Sequence, residues 1–351
     1  MKKTKWLKRS ILSVSLIFSV WLFWPSMTTQ PLQYNNIVHQ TLPVKSGHVI
    51  NTEKPYLPLV KIQPKHITAN ASAKLITSAY AAELTFPPYS QPLSANDFDR
   101  LQPNYFNPQS VPVDDNGTKL VAALSKYRYT YPEPIVASLT GDGLAGAQLE
   151  LTNISNGKVV LNTHFYEENG TWKAILQGEV NLPQQLQALV NTKVNGKQVT
   201  IALALKYVNS IATLNSFESA ISDGADMVVS ANITTREKGL YRLRANLFDA
   251  NNKPIAHLVA KEKLGEGNKQ LTIKAHHSVL VDKQAPFYLS TFSIELMSPA
   301  PGKPKKYGNS AIKKYIINDF EISSLSDTPY QPTEKEQQRL QLLQDISSGG
   351  S

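Results

Sequence analysis

Val159-Val-Leu-Asn-Thr-His-Phe-Tyr-Glu-Glu-Asn-Gly-Thr-Trp-Lys-Ala-Ile-Leu-Gln-Gly-Glu-Val180 decides the fold. Val159, Leu161, Thr163 and Phe165 fall on one side of an extended chain. Trp172, Ala174, Leu176, Gly178 and Val180 do the same beyond the turn, with Lys173, Gln177 and Glu179 opposite. Alternation with period two is the mark of a half-buried strand, because successive side chains leave opposite faces. Between the two runs stands Asn169-Gly170, the pair that best tolerates the positive φ angles of a type I′ hairpin turn. The same pair recurs at Asn116, Asn156 and Asn195, and Ile201, Leu203, Leu205 and Tyr207 repeat the alternation. Turns about every ten residues between alternating runs predict an antiparallel β-sandwich over residues 119–215.

A second block of the same texture covers 216–325. Tyr241, Leu243, Ala245 and Leu247 face one way and Arg242, Arg244 and Asn246 the other. Asp249 to Asn252 supplies a turn, and Ile255–Leu264, Leu271–Ala275, Phe287–Met297 and Ile316–Ile322 follow as strands. Residues 326–351 read as a polar tail with one short helix, opened by the capping box Thr333-x-x-Glu336. The expected fold is therefore mainly β: two tandem immunoglobulin-like antiparallel β-sandwiches after an N-terminal membrane helix and a Pro-rich segment.

That segment spans 28–118. Residues 25–112 hold 12 of the 22 prolines, which argues for a stalk or an irregular region draped on the next domain. Ahead of it, Lys2, Lys3, Lys5, Lys8 and Arg9 precede an uncharged apolar run from Ser10 to Trp24. Basic residues before such a run read as an export signal, with the N-terminus in the cytoplasm. No small-x-small cleavage site follows closely, so residues 1–27 are expected to stay as a signal-anchor. The body would then lie in the periplasm of a single-pass inner-membrane protein; cleavage and release into the periplasm is the alternative.

The chain has 351 residues, enough for two or three domains. Its net charge of +9 could suggest nucleic acid. Five of its 36 basic residues are the N-terminal cluster, which leaves 31 against 27 acidic residues and no basic run in the body. A nucleic-acid partner is not expected. With no cysteine, thiol catalysis, disulfides and Cys-ligated zinc are excluded.

Tyr131-Pro-Glu-Pro-Ile-Val-Ala-Ser-Leu-Thr-Gly-Asp-Gly-Leu144 and Gly239-Leu-Tyr-Arg-Leu-Arg-Ala-Asn-Leu-Phe-Asp249 resemble segments of uncharacterised envelope proteins of gamma-proteobacteria. Those proteins are built from an N-terminal segment and tandem immunoglobulin-like domains. The resemblance covers the C-terminal two thirds and implies a fold, not an activity.

Several motifs fail on context. Gly141-Asp-Gly-Leu-Ala-Gly146 matches a dinucleotide fingerprint, but the alternating Ala147–Thr152 predicts a strand where a helix is required. Ser310-x-x-Lys313 lacks its partner motifs. Adjacent His276 and His277 on a strand point apart and cannot share a metal. Asp223-Gly-Ala-Asp226 is too sparse for a calcium loop, and Glu167-Glu168 reads as a solvated hairpin tip. Tyr127, Tyr129 and Tyr131 share one face of a strand: exposed, they could stack sugars or peptides; buried, they are sandwich core. They and Trp172, itself expected in the core, are the candidate ligand-binding residues. No catalytic, cofactor or metal residue is expected. The function read from the sequence is a non-enzymatic module that binds an envelope protein or scaffolds an assembly. A carbohydrate- or peptidoglycan-binding module, or an enzyme with an unrecognised site, are the alternatives.

Overall fold

The structure is a computed structural model that describes residues 69–114 and 117–348. The expected anchor over 1–27, the Pro-rich segment as far as residue 68, and Asn116 lie outside the described residues. The chain is mainly β, in four sheets that form two sandwiches.

Alanine-rich α1 (Ala69–Glu83) comes first, followed by β1 (Ser90–Pro92) and α2 (Phe98–Leu101). The first sandwich contains β2 (Gln109–Pro112), β3 (Lys119–Leu124), β4 (Arg128–Thr130), β5 (Ile135–Thr140), β6 (Leu144–Asn153), β7 (Val159–His164), β8 (Tyr166–Glu168), β9 (Thr171–Leu176), β10 (Gln185–Val194) and β11 (Lys197–Val208). One sheet runs β2-β3-β5-β9-β8, the other β4-β11-β10-β6-β7. Leu120, Ile135 and Leu139 from the first sheet meet Leu149, Leu186 and Leu203 from the second in a single core. Asn169 and Gly170 both take positive φ, as do Asn195 and Gly196, so two of the hairpins turn as the sequence predicts.

The second sandwich begins at β12 (Ala212–Phe217) and continues through β13 (Ile221–Asp223), β14 (Asp226–Thr235), β15 (Gly239–Phe248), β16 (Pro254–Leu264) and β17 (Gly267–His276). The short α3 (His277–Leu280) leads to β18 (Phe287–Leu296), β19 (Lys306–Tyr307), β20 (Asn309–Ser310) and β21 (Lys314–Ile317). One sheet is β1-β16-β15-β18-β19, with β21 also on β18; the other is β13-β14-β12-β20, with β17 also on β14. Leu243, Leu247, Phe287 and Leu289 pack on Leu214, Met227, Ile233 and Leu271. The chain closes with α4 (Glu334–Ser348).

Four expectations change. The sheets are not wholly antiparallel, since β4 joins β11 and β12 joins β20 in parallel. Val180 lies past the end of β9 and is exposed. The described part of the Pro-rich region forms regular structure. Its strand β1 completes an edge of the second sandwich, pairing Ser90 with Leu258 and Pro92 with Ala256, and Leu93 just beyond it is buried. Proline is tolerated there because an edge strand has one side with no ladder to make. Strand β2 of the same region is an edge of the first sandwich, so that sandwich is an insertion into the second. Finally, the tail helix has 15 residues and packs on α1, where the Thr77 hydroxyl donates to the carbonyl of Leu343 at 3.0 Å. Its capping box forms: Glu336 accepts from Thr333 N–H at 2.7 Å and hydroxyl at 2.9 Å.

Of the two connections between the sandwiches, the one that leaves the first is three residues long, Asn209 to Ile211, and each of them is bonded. Asn209 donates to the Val180 carbonyl at 2.9 Å, Ser210 to the Ala212 carbonyl at 2.7 Å, and Ile211 N–H to the Tyr307 carbonyl at 3.1 Å. Across it, the Arg128 guanidinium lies 4.0 Å from the ring centroid of Tyr307, which is buried. A short linker tied at every residue couples the two bodies.

Candidate functional site

The sequence candidates do not converge. Tyr129 is fully buried, its hydroxyl donating to the Val136 carbonyl at 3.2 Å, while Tyr127 and Tyr131 are 39% and 40% exposed. The expected tyrosine ladder is broken because β4 holds only three residues and both flanking tyrosines leave it. Trp172 sits on β9 in the opposite sheet, across from Leu139, half-buried against the core. It is thus less enclosed than a core residue, and it lies in the sheet facing the one that holds Tyr129.

The rejected motifs fold as ordinary structure. Leu144 opens β6 directly after Gly143, so a strand follows the glycines. Ser310 donates its hydroxyl to the Ile312 carbonyl at 2.6 Å. His276 is buried and caps α3 by accepting the Ser278 N–H. Among the described residues no three His, Asp or Glu side chains gather as a metal site.

The densest electrostatics lie elsewhere, on the outer face of the β16-β15-β18 sheet. Strand β15 alternates, so Arg242 and Arg244 point away from the core that Tyr241, Leu243 and Ala245 fill. Strand β18 would fall out of phase with it but for a bulge opposite Ala245. Thr291 takes φ 58° there, an unusual angle for a β-branched residue. With one residue absorbed, Leu289 and Ile294 both face inward and Glu295 faces outward beside Arg242. Re-aiming a side chain is what such bulges do.

Glu295 is 3% exposed and fully engaged. Arg242 donates through Nε at 3.1 Å and through its terminal nitrogen, Arg244 at 3.0 Å and Lys305 at 3.1 Å. Burial alone pushes its carboxyl up. The Arg242 hydrogen bonds, the charge of Arg244 and the Lys305 hydrogen bond outweigh burial and hold it at about 2. Lys305 also lies 5.5 Å from the Tyr307 ring, which carries Arg128.

Further along the face, buried Asn246 bridges His257 Nδ1 at 2.7 Å and the carbonyl of Arg100 at 2.7 Å, pinning α2 to the sheet. Burial pushes His257 down to about 4, and the charges of Arg100 and Arg244 add to it against Asp97. The result is a belt of cations, Arg100, Arg244, Arg242, Lys305 and Arg128, on which Glu295 and Asp97 are the carboxylates that act. The outward pair Arg242 and Arg244 was legible in the sequence; their partner, some 50 residues away in an apolar strand, was not.

No protein-family model matches the chain, nor does any curated protein. Among solved structures it is similar to a DUF4785 family protein from the gamma-proteobacterium Legionella pneumophila, at 16% identity over 50% of this chain and 52% of that one, with TM-score 0.40. It is similar to trypsin-activated alpha-2-macroglobulin from Escherichia coli at 11% identity, covering 57% of this chain and 15% of that one, with TM-score 0.22. It is also similar to the IG1+IG2 region of DIP-gamma at 9% identity, covering 58% and 96%, with TM-score 0.20. The chain thus spans about half the length of the Legionella protein.

Proposed function

We infer that this is a non-enzymatic interaction module of the bacterial envelope. Residues 1–27 hold it in the inner membrane, or are cleaved to release it, and the body works in the periplasm. Its two immunoglobulin-like sandwiches act as one rigid piece that docks an envelope protein through acidic side chains. A single observation carries this reading: the cation belt runs from the second sandwich across the fixed junction to Arg128 of the first. Electrostatic complementarity of that kind governs partner choice and association rate. The anchor reading rests on the basic cluster Lys2 to Arg9 and the apolar run Ser10 to Trp24 that follows it; among the described residues no helix is long and apolar enough to cross a membrane.

The test is a photo-crosslinking amino acid at Lys261, which is exposed and pairs with Arg242 on this face, against one at Lys158 on a distant hairpin. A discrete crosslinked envelope protein from position 261 alone is expected. Identical patterns from both positions, or none from either, would overturn the assignment.

A further inference from the structure

The opposite sheet of the second sandwich presents an outer face of a different chemistry. Its strands β12, β14 and β17 lay amide and hydroxyl side chains in two cross-strand rows. In the first, Asn215 donates to the Thr234 hydroxyl at 2.8 Å, and Thr234 donates on to Asn268 Oδ1 at 2.8 Å. In the second, Asn232 donates to Ser216 at 3.2 Å and accepts from Gln270 at 3.2 Å; Gln270 also donates to Glu218 at 2.5 Å. Register sets these rows, since Asn232 stands opposite Gln270 and Thr234 opposite Asn268. The rows line an open depression of about 450 Å³, within the ~300–1,000 Å³ range of ligand sites.

Two features separate this face from an ordinary wet sheet. A bulge between Leu214 and Ser216 leaves Asn215 and Ser216 both turned outward, where strict alternation would send one inside. Bulges that re-aim side chains concentrate at functional sites. The second feature is that the amides are fixed by one another yet not saturated. An amide has two donor hydrogens and a carbonyl with two lone pairs. Asn268 accepts from Thr234 and keeps both donors; Asn215 keeps one donor and its carbonyl; Gln270 keeps its carbonyl. Donors and acceptors therefore alternate over the groove, already ordered, so little side-chain entropy remains to be lost on binding.

The chemistry selects the ligand. Glu218 closes the second row with Gln270 bonded to it, which disfavours an acidic polymer, while Lys269, between Asn268 and Gln270, turns toward Gly265. The two rows offer no aromatic or aliphatic side chain to seat a peptide's apolar residues. A hydroxyl-rich neutral molecule, each of whose OH groups both donates and accepts, matches the alternation. We propose that the outer face of the β12-β14-β17 sheet is a binding groove for a neutral oligosaccharide. It is a different site from the cation belt, and neither reading depends on the other.

Calorimetric titration of the full-length chain with cellohexaose, maltohexaose and the hexamer of N-acetylglucosamine tests the proposal. At least one is expected to bind with a Kd below about 1 mM. The Asn232→Ala/Asn268→Ala variant should weaken that binding at least tenfold, while Tyr127→Ala/Tyr131→Ala leaves it unchanged. Should the double variant not fold, Asn268→Asp takes its place, keeping the shape while removing both free donors, with the same weakening expected. Absence of binding by all three sugars at about 10 mM, full affinity in the groove variants, or loss in the tyrosine variant would each overturn the proposal.

Discussion

Replacing Glu295 by Gln keeps the size of the side chain and one acceptor oxygen but removes the charge that Arg242, Arg244 and Lys305 surround. The wild-type carboxyl sits at about 2 against an ordinary 4.5. At about 1.4 kcal/mol per unit, folding favours the ionised form by about 3 kcal/mol. Because the folded value is depressed, that stability is complete above pH 4.5 and drains away as the pH falls toward 2. By pH 3 about 2 kcal/mol of it is gone. Glu295→Gln also leaves three cations facing a neutral group. Breaking a buried pair costs about 3–5 kcal/mol, and the partial exposure of Arg244 and Lys305 lowers this to about 2–4. Urea unfolding followed by far-ultraviolet circular dichroism at pH 7 and pH 3 measures both numbers. In a chain that starts at residue 69, Trp172 is the one tryptophan, so its fluorescence reports on the first sandwich. The expected result is a deficit of about 2–4 kcal/mol at pH 7 that narrows by about 2 kcal/mol at pH 3. A deficit below about 0.5 kcal/mol at pH 7, or one that ignores pH, would refute the picture of a carboxylate held by its cations.

Three further outcomes follow from the same structure. The His257 imidazole, depressed to about 4, should titrate there by NMR; its contribution to stability is full above pH 6.5 and fades toward pH 4, so the wild type loses about 2 kcal/mol between pH 7 and 5 through this residue and His257→Gln does not. Trp172→Ala should cost about 2–3 kcal/mol in thermal or urea melts, below the ~3–5 of an enclosed aromatic, because the ring is only half-buried. A fragment of residues 119–325, which lacks β1, β2 and Leu93, should melt at least about 10 °C below residues 86–325, since one buried leucine alone is worth ~2–5 kcal/mol.

Local chemistry made much of the fold legible. Asn169-Gly170 and Asn195-Gly196 turn as expected because turn conformation is set within four residues. Strands β10 and β11 alternate over ten and twelve residues, and their buried and exposed sides follow the pattern. What the sequence hid is non-local. Three residues of β1 inside a Pro-rich stretch carry no periodic signal, and their partner β16 lies more than 150 residues on. The bulge at Thr291 shifts the phase of β18, so that Glu295 could not be assigned to a face by counting. The bulge at Asn215 hid the amide groove in the same way: alternation places Asn215 outside and Ser216 inside, whereas both are exposed. The tyrosine ladder misled for a related reason, since a strand of three residues cannot hold five side chains in register.

The insertion of the first sandwich into the second has a mechanical consequence. A pull arriving at Ala69 meets β1 before any strand of the first sandwich. It is borne by the three paired residues Ser90 to Pro92 and by Leu93, whose N–H holds the Ile255 carbonyl at 3.0 Å. The inserted body lies behind this clasp and is shielded from tension until the clasp yields. When β1 leaves, it uncovers the free edge of β16 and unseats α2, whose Arg100 carbonyl Asn246 holds at the end of the cation belt. The strand most exposed to force along the chain is therefore also the one whose release would alter the face proposed to meet a partner.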